Sequence, residues 1–174
     1  MKTLIIALPR TGSTRLGRDL SIKNKGRYVF EPYNPDNPHE YDVNENNIVL
    51  KTLMFQKPTH IDEDKIIDWL VEFVKEFDEV ILLKRKNITE CIESWAYLNH
   101  MGYVKNFTSL TPYLWEKTPN YKLSEEQIIE WDQQLTKLSE LTNIPITYYE
   151  DIFDTNSEER LRKGNMADKK RTII

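Results

Sequence analysis

Leu4-Ile5-Ile6-Ala7-Leu8-Pro9-Arg10-Thr11-Gly12-Ser13-Thr14-Arg15 is the stretch that decides how this chain folds. An unbroken apolar run ended by proline fits a strand buried on both faces of a sheet. Gly12 then permits a tight turn, and residues 13–22, with Leu16 and Leu20 four apart, read as a helix. Strand, turn and helix in this order bring free backbone N–H groups and the positive end of a helix dipole to the strand's carboxyl end. That is a setting for a phosphate or sulfate. Arg10 adds a fixed charge, and Ser13 and Thr14 add hydroxyl donors. Taken alone, the same residues serve equally as a capped turn carrying a surface arginine.

The alternation continues outward. Residues 28–30 and 48–50 read as short strands, and residues 62–77 as an amphipathic helix with Ile66, Ile67, Leu70, Phe73, Val74 and Phe77 on one face. Residues 80–83 form a second fully apolar strand. Asn87 and Glu90 are spaced as a capping box for a helix carrying Ile88, Cys91, Ile92, Trp95 and Leu98. Ser124 is placed to cap a helix striped by Ile128, Trp131, Leu135 and Leu138, and residues 144–149 close the series as a strand. The expectation is an α/β fold: a three-layer, P-loop-like domain with a central parallel sheet flanked by helices.

Composition narrows the function. The chain has 174 residues, 39% hydrophobic and 30% charged, enough for one core, so residues 1–174 are expected to form a single domain. A net charge of −4 argues against a nucleic-acid or membrane-surface role. One cysteine, Cys91, excludes an internal disulfide framework. The apolar run at the start is shorter than a secretory signal or a spanning helix requires, so a soluble, cytoplasmic protein is expected. Residues 31–47 hold five acids, five asparagines and three prolines without one lysine or arginine, whereas residues 160–171 hold six bases and one acid. The first reads as a polar loop and the second as a basic tail over 160–174.

A second strand-to-helix junction carries Lys84-Arg85-Lys86-Asn87, with Ser94 two helical turns further on. Bases and a hydroxyl there suit a second phosphate; they suit equally a solvated strand end.

Together these segments resemble the sulfotransferases that use 3′-phosphoadenosine 5′-phosphosulfate. Pro9-Arg10-Thr11-Gly12-Ser13-Thr14 is similar to the family's 5′-phosphosulfate loop, and Arg85-Lys86-Asn87 with Ser94 to its 3′-phosphate motif. Tyr148-Tyr149-Glu150-Asp151-Ile152 resembles the strand end near the adenine, placing Tyr149 there. Ile48-Val49-Leu50-Lys51-Thr52 resembles the strand whose lysine approaches the sulfuryl group. Arg162-Lys163-Gly164 is similar to the clamp on the 3′-phosphate. Where cytosolic members place a catalytic histidine after Lys-Thr, this chain has Leu53, and where they place an adenine-stacking aromatic it has Arg15. Phe30-Glu31-Pro32-Tyr33-Asn34 instead resembles the glutamate base of bacterial, viral and carbohydrate-type members.

The resemblance implies a metal-independent, in-line transfer to a hydroxyl of a carbohydrate or small molecule, with adenosine 3′,5′-bisphosphate as product. It implies Glu31 as base, and Lys51 and Arg10 facing the charge that builds on the leaving oxygen. Residues 31–47 and 103–123 are expected to line the acceptor. His60 competes with Glu31 for the role of base; His39, His60 and His100 otherwise read as surface or satisfied histidines. Trp69, Trp95 and Trp131 read as packing. Two other functions stay open: a P-loop kinase-like phosphotransferase, disfavoured because no Walker A Gly-Lys-Ser/Thr is present, and a catalytically inactive module that binds adenosine bisphosphate. Oligomeric state is not legible.

Overall fold

The computed structural model describes residues 1–34, 39–42, 44–101 and 119–153, without the side chains of 97–101 and 119–121. Five strands form one sheet in which every pairing is parallel: β1 (Lys2–Ala7), β2 (Arg27–Phe30), β3 (Ile48–Leu53), β4 (Glu79–Lys84) and β5 (Ile146–Tyr148). Their order is β2-β3-β1-β4-β5. Among the described residues the α-helices are α1 (Ser13–Lys23), α2 (Ile66–Phe73), α3 (Ile88–Met101), α4 (Pro119–Thr142) and a single turn, α5 (Tyr149–Ile152).

Strand alternation sorts the core into two faces. Leu4, Ile6 and Leu8 point to the side covered by Leu70 and Phe73 of α2, Cys91 and Ile92 of α3, and Ile128, Leu135 and Leu138 of α4. Ile5 and Ala7 point to the opposite side, where Leu16 of α1 and Phe153 cover them. Helices thus lie on both faces, the condition for a parallel sheet whose strands are apolar throughout. β1 sits between β3 and β4, and the chain extends to one side of it before turning to the other. Ligand crevices in open parallel sheets lie beyond the strands' carboxyl ends at such a reversal.

Several boundaries differ from the sequence reading. The segment expected as one helix over 62–77 is α2 framed by two 3₁₀ turns, Glu63–Lys65 and Val74–Glu76. Ser124 does not mark a helix start: α4 starts at Pro119, and Ser124 is buried within it. The last strand is only Ile146–Tyr148, and Tyr149 opens α5. The Asn87 amide donates to the Glu90 carboxylate at 3.2 Å, a bond between side chains. The 103–118 part of the expected acceptor loop, residues 35–38 and 43 of the other, and the tail at 160–174 lie outside the described residues. Among the described residues, no helix is long and apolar enough to cross a membrane.

The loop after β2 is fastened by aromatic packing. Tyr33 meets Trp69 edge-on at 5.2 Å and Phe73 at 5.9 Å, and its hydroxyl shares a hydrogen bond with that of Tyr41. Burial holds the phenols of Tyr33 and Tyr41 above their ordinary value, and that of Tyr28 is pushed up to about 12. Cys91, fully buried on α3, donates its thiol to the Pro9 carbonyl at 2.8 Å, and burial pushes its pKa up to about 12.

These groups stay protonated in the folded chain while the unfolded chain releases their protons. Stability is therefore complete below the thiol's ordinary value of 9.0 and falls as pH rises from there toward about 12. In urea titrations, Cys91→Ala should flatten the part of that decline that begins near pH 9. The limiting slope lost is about 1.4 kcal/mol per pH unit.

Candidate functional site

The carboxyl ends of β1, β3 and β4 open into a cleft of ≈ 930 Å³. Arg10, Gly12, Ser13, Thr14, Glu31, Lys51, Arg85 and Ser94 all line it. Residues from four separate parts of the sequence therefore meet in one place.

The loop after β1 is shaped by its backbone. Arg10 and Gly12 are left-handed, with φ of 64° and 71°. Glycine takes such a conformation without strain, whereas a Cβ on Gly12 would also run into the ring of Tyr149. Thr11 is buried and donates its hydroxyl to the Leu8 carbonyl at 2.7 Å, which closes the turn. α1 begins with no side-chain cap, so its first amides face the cleft end without a capping acceptor. Arg10 reaches across to α3, its Nε donating to the Ser94 hydroxyl at 2.8 Å. The β1–α1 loop and α3 are thereby tied to each other.

The three bases at the carboxyl end of β4 separate. Lys84 pairs with Asp132 of α4 at 3.0 Å and donates to Thr136. Arg85 turns into the cleft. Its guanidinium lies 4.7 Å over the Tyr149 ring, Nη1 pairs with Glu90 at 2.6 Å, and Nε is buried without a partner among the described residues. Lys86 turns away from the cleft: its ammonium pairs with Asp151, which raises its pKa, and its backbone N–H donates to Glu150 at 3.0 Å. Tyr149 supports the site from below, between Gly12 and Arg85, and does not line the cleft. Arg15 caps Phe153 at 4.8 Å. Arg162, Lys163 and Gly164 lie outside the described residues.

Beside this basic wall stands a buried ion pair. Lys51, on an interior strand and 2% exposed, pairs with one oxygen of Glu31. The other oxygen of Glu31 accepts from Gln56 at 2.8 Å and from Asn34 at 3.2 Å. Gln56 is itself fixed, because its carbonyl accepts the Leu53 N–H at 2.9 Å, so its amide must face Glu31. Glu31 sits at φ 48°, a strained conformation for a non-glycine residue, and its N–H donates to the Lys51 carbonyl at 2.7 Å. Glu31 opens the stretch read from sequence as a polar loop, yet it is buried and held on both oxygens. Burial lowers the pKa of Lys51, and the Glu31 carboxylate partly offsets that effect.

His60 is exposed and does not line the cleft, and His39 packs against Phe30. The side chain of His100 lies outside the described residues. Gln56, Phe55 and the lining role of Trp95 were missed from sequence. Gln56 stands five residues after Lys51, a spacing that carries no signal until the turn after β3 folds it back.

Comparison with protein-family models, with curated proteins and with solved structures finds no match.

Removing one partner of the buried pair leaves the other uncompensated. Lys51→Met and Glu31→Gln should each lower unfolding free energy by about 3–5 kcal/mol, and the double variant by clearly less than the sum. Urea unfolding of the four proteins checks this.

Proposed function

We propose that the cleft is a sulfuryl-transfer site that takes its sulfuryl group from 3′-phosphoadenosine 5′-phosphosulfate and passes it to a hydroxyl acceptor. One observation carries the reading. Arg10 of the β1–α1 loop and Ser94 of α3 are joined at 2.8 Å across a cleft that also receives Arg85, so two groups suited to anions lie side by side beyond the carboxyl ends of the strands. A donor with phosphates at both ends of a ribose needs this pairing.

The residues fit such a donor. The α1 amides, Gly12, Ser13 and Thr14 offer a cradle in which a side chain at Gly12 would collide. The unpartnered Nε of Arg85 is a buried donor in need of an acceptor. When bound, the donor supplies an activated sulfuryl group whose departure leaves charge on a phosphate oxygen. Glu31 takes the proton of the attacking hydroxyl. In doing so it loses its charge, and Lys51, which pairs with Glu31 in the resting site, is released to face the charge developing on the leaving oxygen. Arg10 stays beside that oxygen. The pair thus couples proton uptake at one residue to cation release at the next.

Adenosine 3′,5′-bisphosphate should raise the melting temperature much more than adenosine 5′-monophosphate. At about 100 times the dissociation constant the gain is roughly 2.7 kcal/mol. Arg85→Ala should weaken this binding and Lys86→Ala should leave it unchanged, since only Arg85 lines the cleft. Equal shifts for the two nucleotides overturn the two-site reading. Stabilisation by ATP that requires magnesium favours a kinase instead.

Glu31→Gln should cut turnover per folded molecule by about 10²–10⁴-fold with bisphosphate binding retained. Because the substitution also destabilises the fold, turnover is normalised to the folded fraction. Unchanged normalised turnover removes Glu31 as the base.

A further inference from the structure

The cleft has a second, uncharged wall. Phe55, two residues past β3, stacks on Trp131 of α4 with centroids 4.2 Å apart and planes 28° apart. Trp95 of α3 meets Phe55 at 6.1 Å and Trp131 nearly edge-on at 5.9 Å. The indole N–H of Trp95 donates to Gln127 at 3.2 Å, which fixes its ring plane. Phe55 and Trp95 line the cleft and Trp131 does not, so Trp131 acts as a rigid backing for the other two.

A cluster that served only the core would bury its rings. Here Phe55 and Trp95 are half-buried and leave flat apolar surface in a cleft whose lining also holds Arg10, Glu31, Lys51 and Arg85. Their place in the chain adds to this. Trp95 directly follows Ser94, which holds Arg10, and Phe55 directly precedes Gln56, which holds Glu31. The aromatic wall is therefore joined at one side to the anion loop's partner and at the other to the carboxylate's partner. Flat apolar area next to a carboxylate and side-chain amides suits a ring that has an apolar face and hydroxyls at its edge.

We propose that Phe55 and Trp95 form the acceptor platform: a hydroxyl-bearing six-membered ring, pyranose or phenolic, stacks on them and turns its hydroxyl toward Glu31. The fate of that hydroxyl rests on the sulfuryl-transfer reading, whereas the ring site does not require it.

The chain's tryptophans give indole N–H resonances that report on the platform directly, and Trp95→Phe assigns the one that matters. Methyl β-D-glucopyranoside, 2-naphthol and glycerol are titrated with and without saturating adenosine 3′,5′-bisphosphate. One ring compound should move the Trp95 resonance, and glycerol should not; whether sugar or naphthol responds identifies the source of the ring. Phe55→Leu, which keeps an apolar side chain but loses the flat ring, should weaken that binding about tenfold, and Phe55→Tyr should preserve it. If neither ring compound moves Trp95, or if Phe55→Leu binds as wild type does, the platform is overturned. Should a ring compound bind while the bisphosphate gives no thermal shift, the sulfuryl-transfer reading fails and the platform stands. Bisphosphate binding without any ring response gives the converse.

Discussion

A lysine inside a fully buried strand is the constraint around which this end of the molecule is arranged. β3 has neighbours on both edges and is buried along its whole length, so the ammonium of Lys51 has little water to solvate it. A buried charge needs a partner, and the partner needs its remaining lone pairs satisfied. Glu31 answers the first need, and Gln56 and Asn34 answer the second. To reach Lys51, residue 31 adopts a left-handed backbone, and the loop beyond it is held against α2 through Tyr33. A single interior charge thus organises β2, the turn after β3 and a helix on the sheet's far side.

The same economy of pairing governs the opposite wall. Three consecutive bases leave β4, and each meets a different acid: Lys84 meets Asp132, Arg85 meets Glu90, and Lys86 meets Asp151. Only Arg85 keeps a buried donor unspent. The carboxylates of Glu150 and Asp151 fasten the end of β5 to the loop after β4, which fixes Tyr149 beneath Gly12. The site's shape therefore depends on acids that do not enter it.

Much of this fold is legible in the sequence because parallel strands buried on both faces are apolar without interruption, as residues 4–8 and 80–83 are. Pro9 and Gly12 mark the first turn for backbone reasons that need no tertiary information. What escapes is set by distant partners. Ser124 looks like a cap because a serine before a helical stripe usually is one, yet the helix starts earlier and buries it. Arg85 and Lys86 are equivalent by spacing, and only the position of Asp151 decides which of them faces the cleft. Gln56 and Phe55 carry no local signature, since both acquire their roles from the turn that follows β3. Trp95 reads as core from its helical stripe; the cleft beside it is a property of three elements together.

The thiol of Cys91 lies under the loop that carries Arg10, hydrogen-bonded to the carbonyl of Pro9. As the chain's one cysteine, it gives any thiol-directed reagent a single target. Its burial means that such a reagent must wait for β1's terminal loop to part from α3. The rate of labelling is therefore a clock for that opening. The molecule carries, beneath the loop after β1, a built-in reporter of how often that loop lets go.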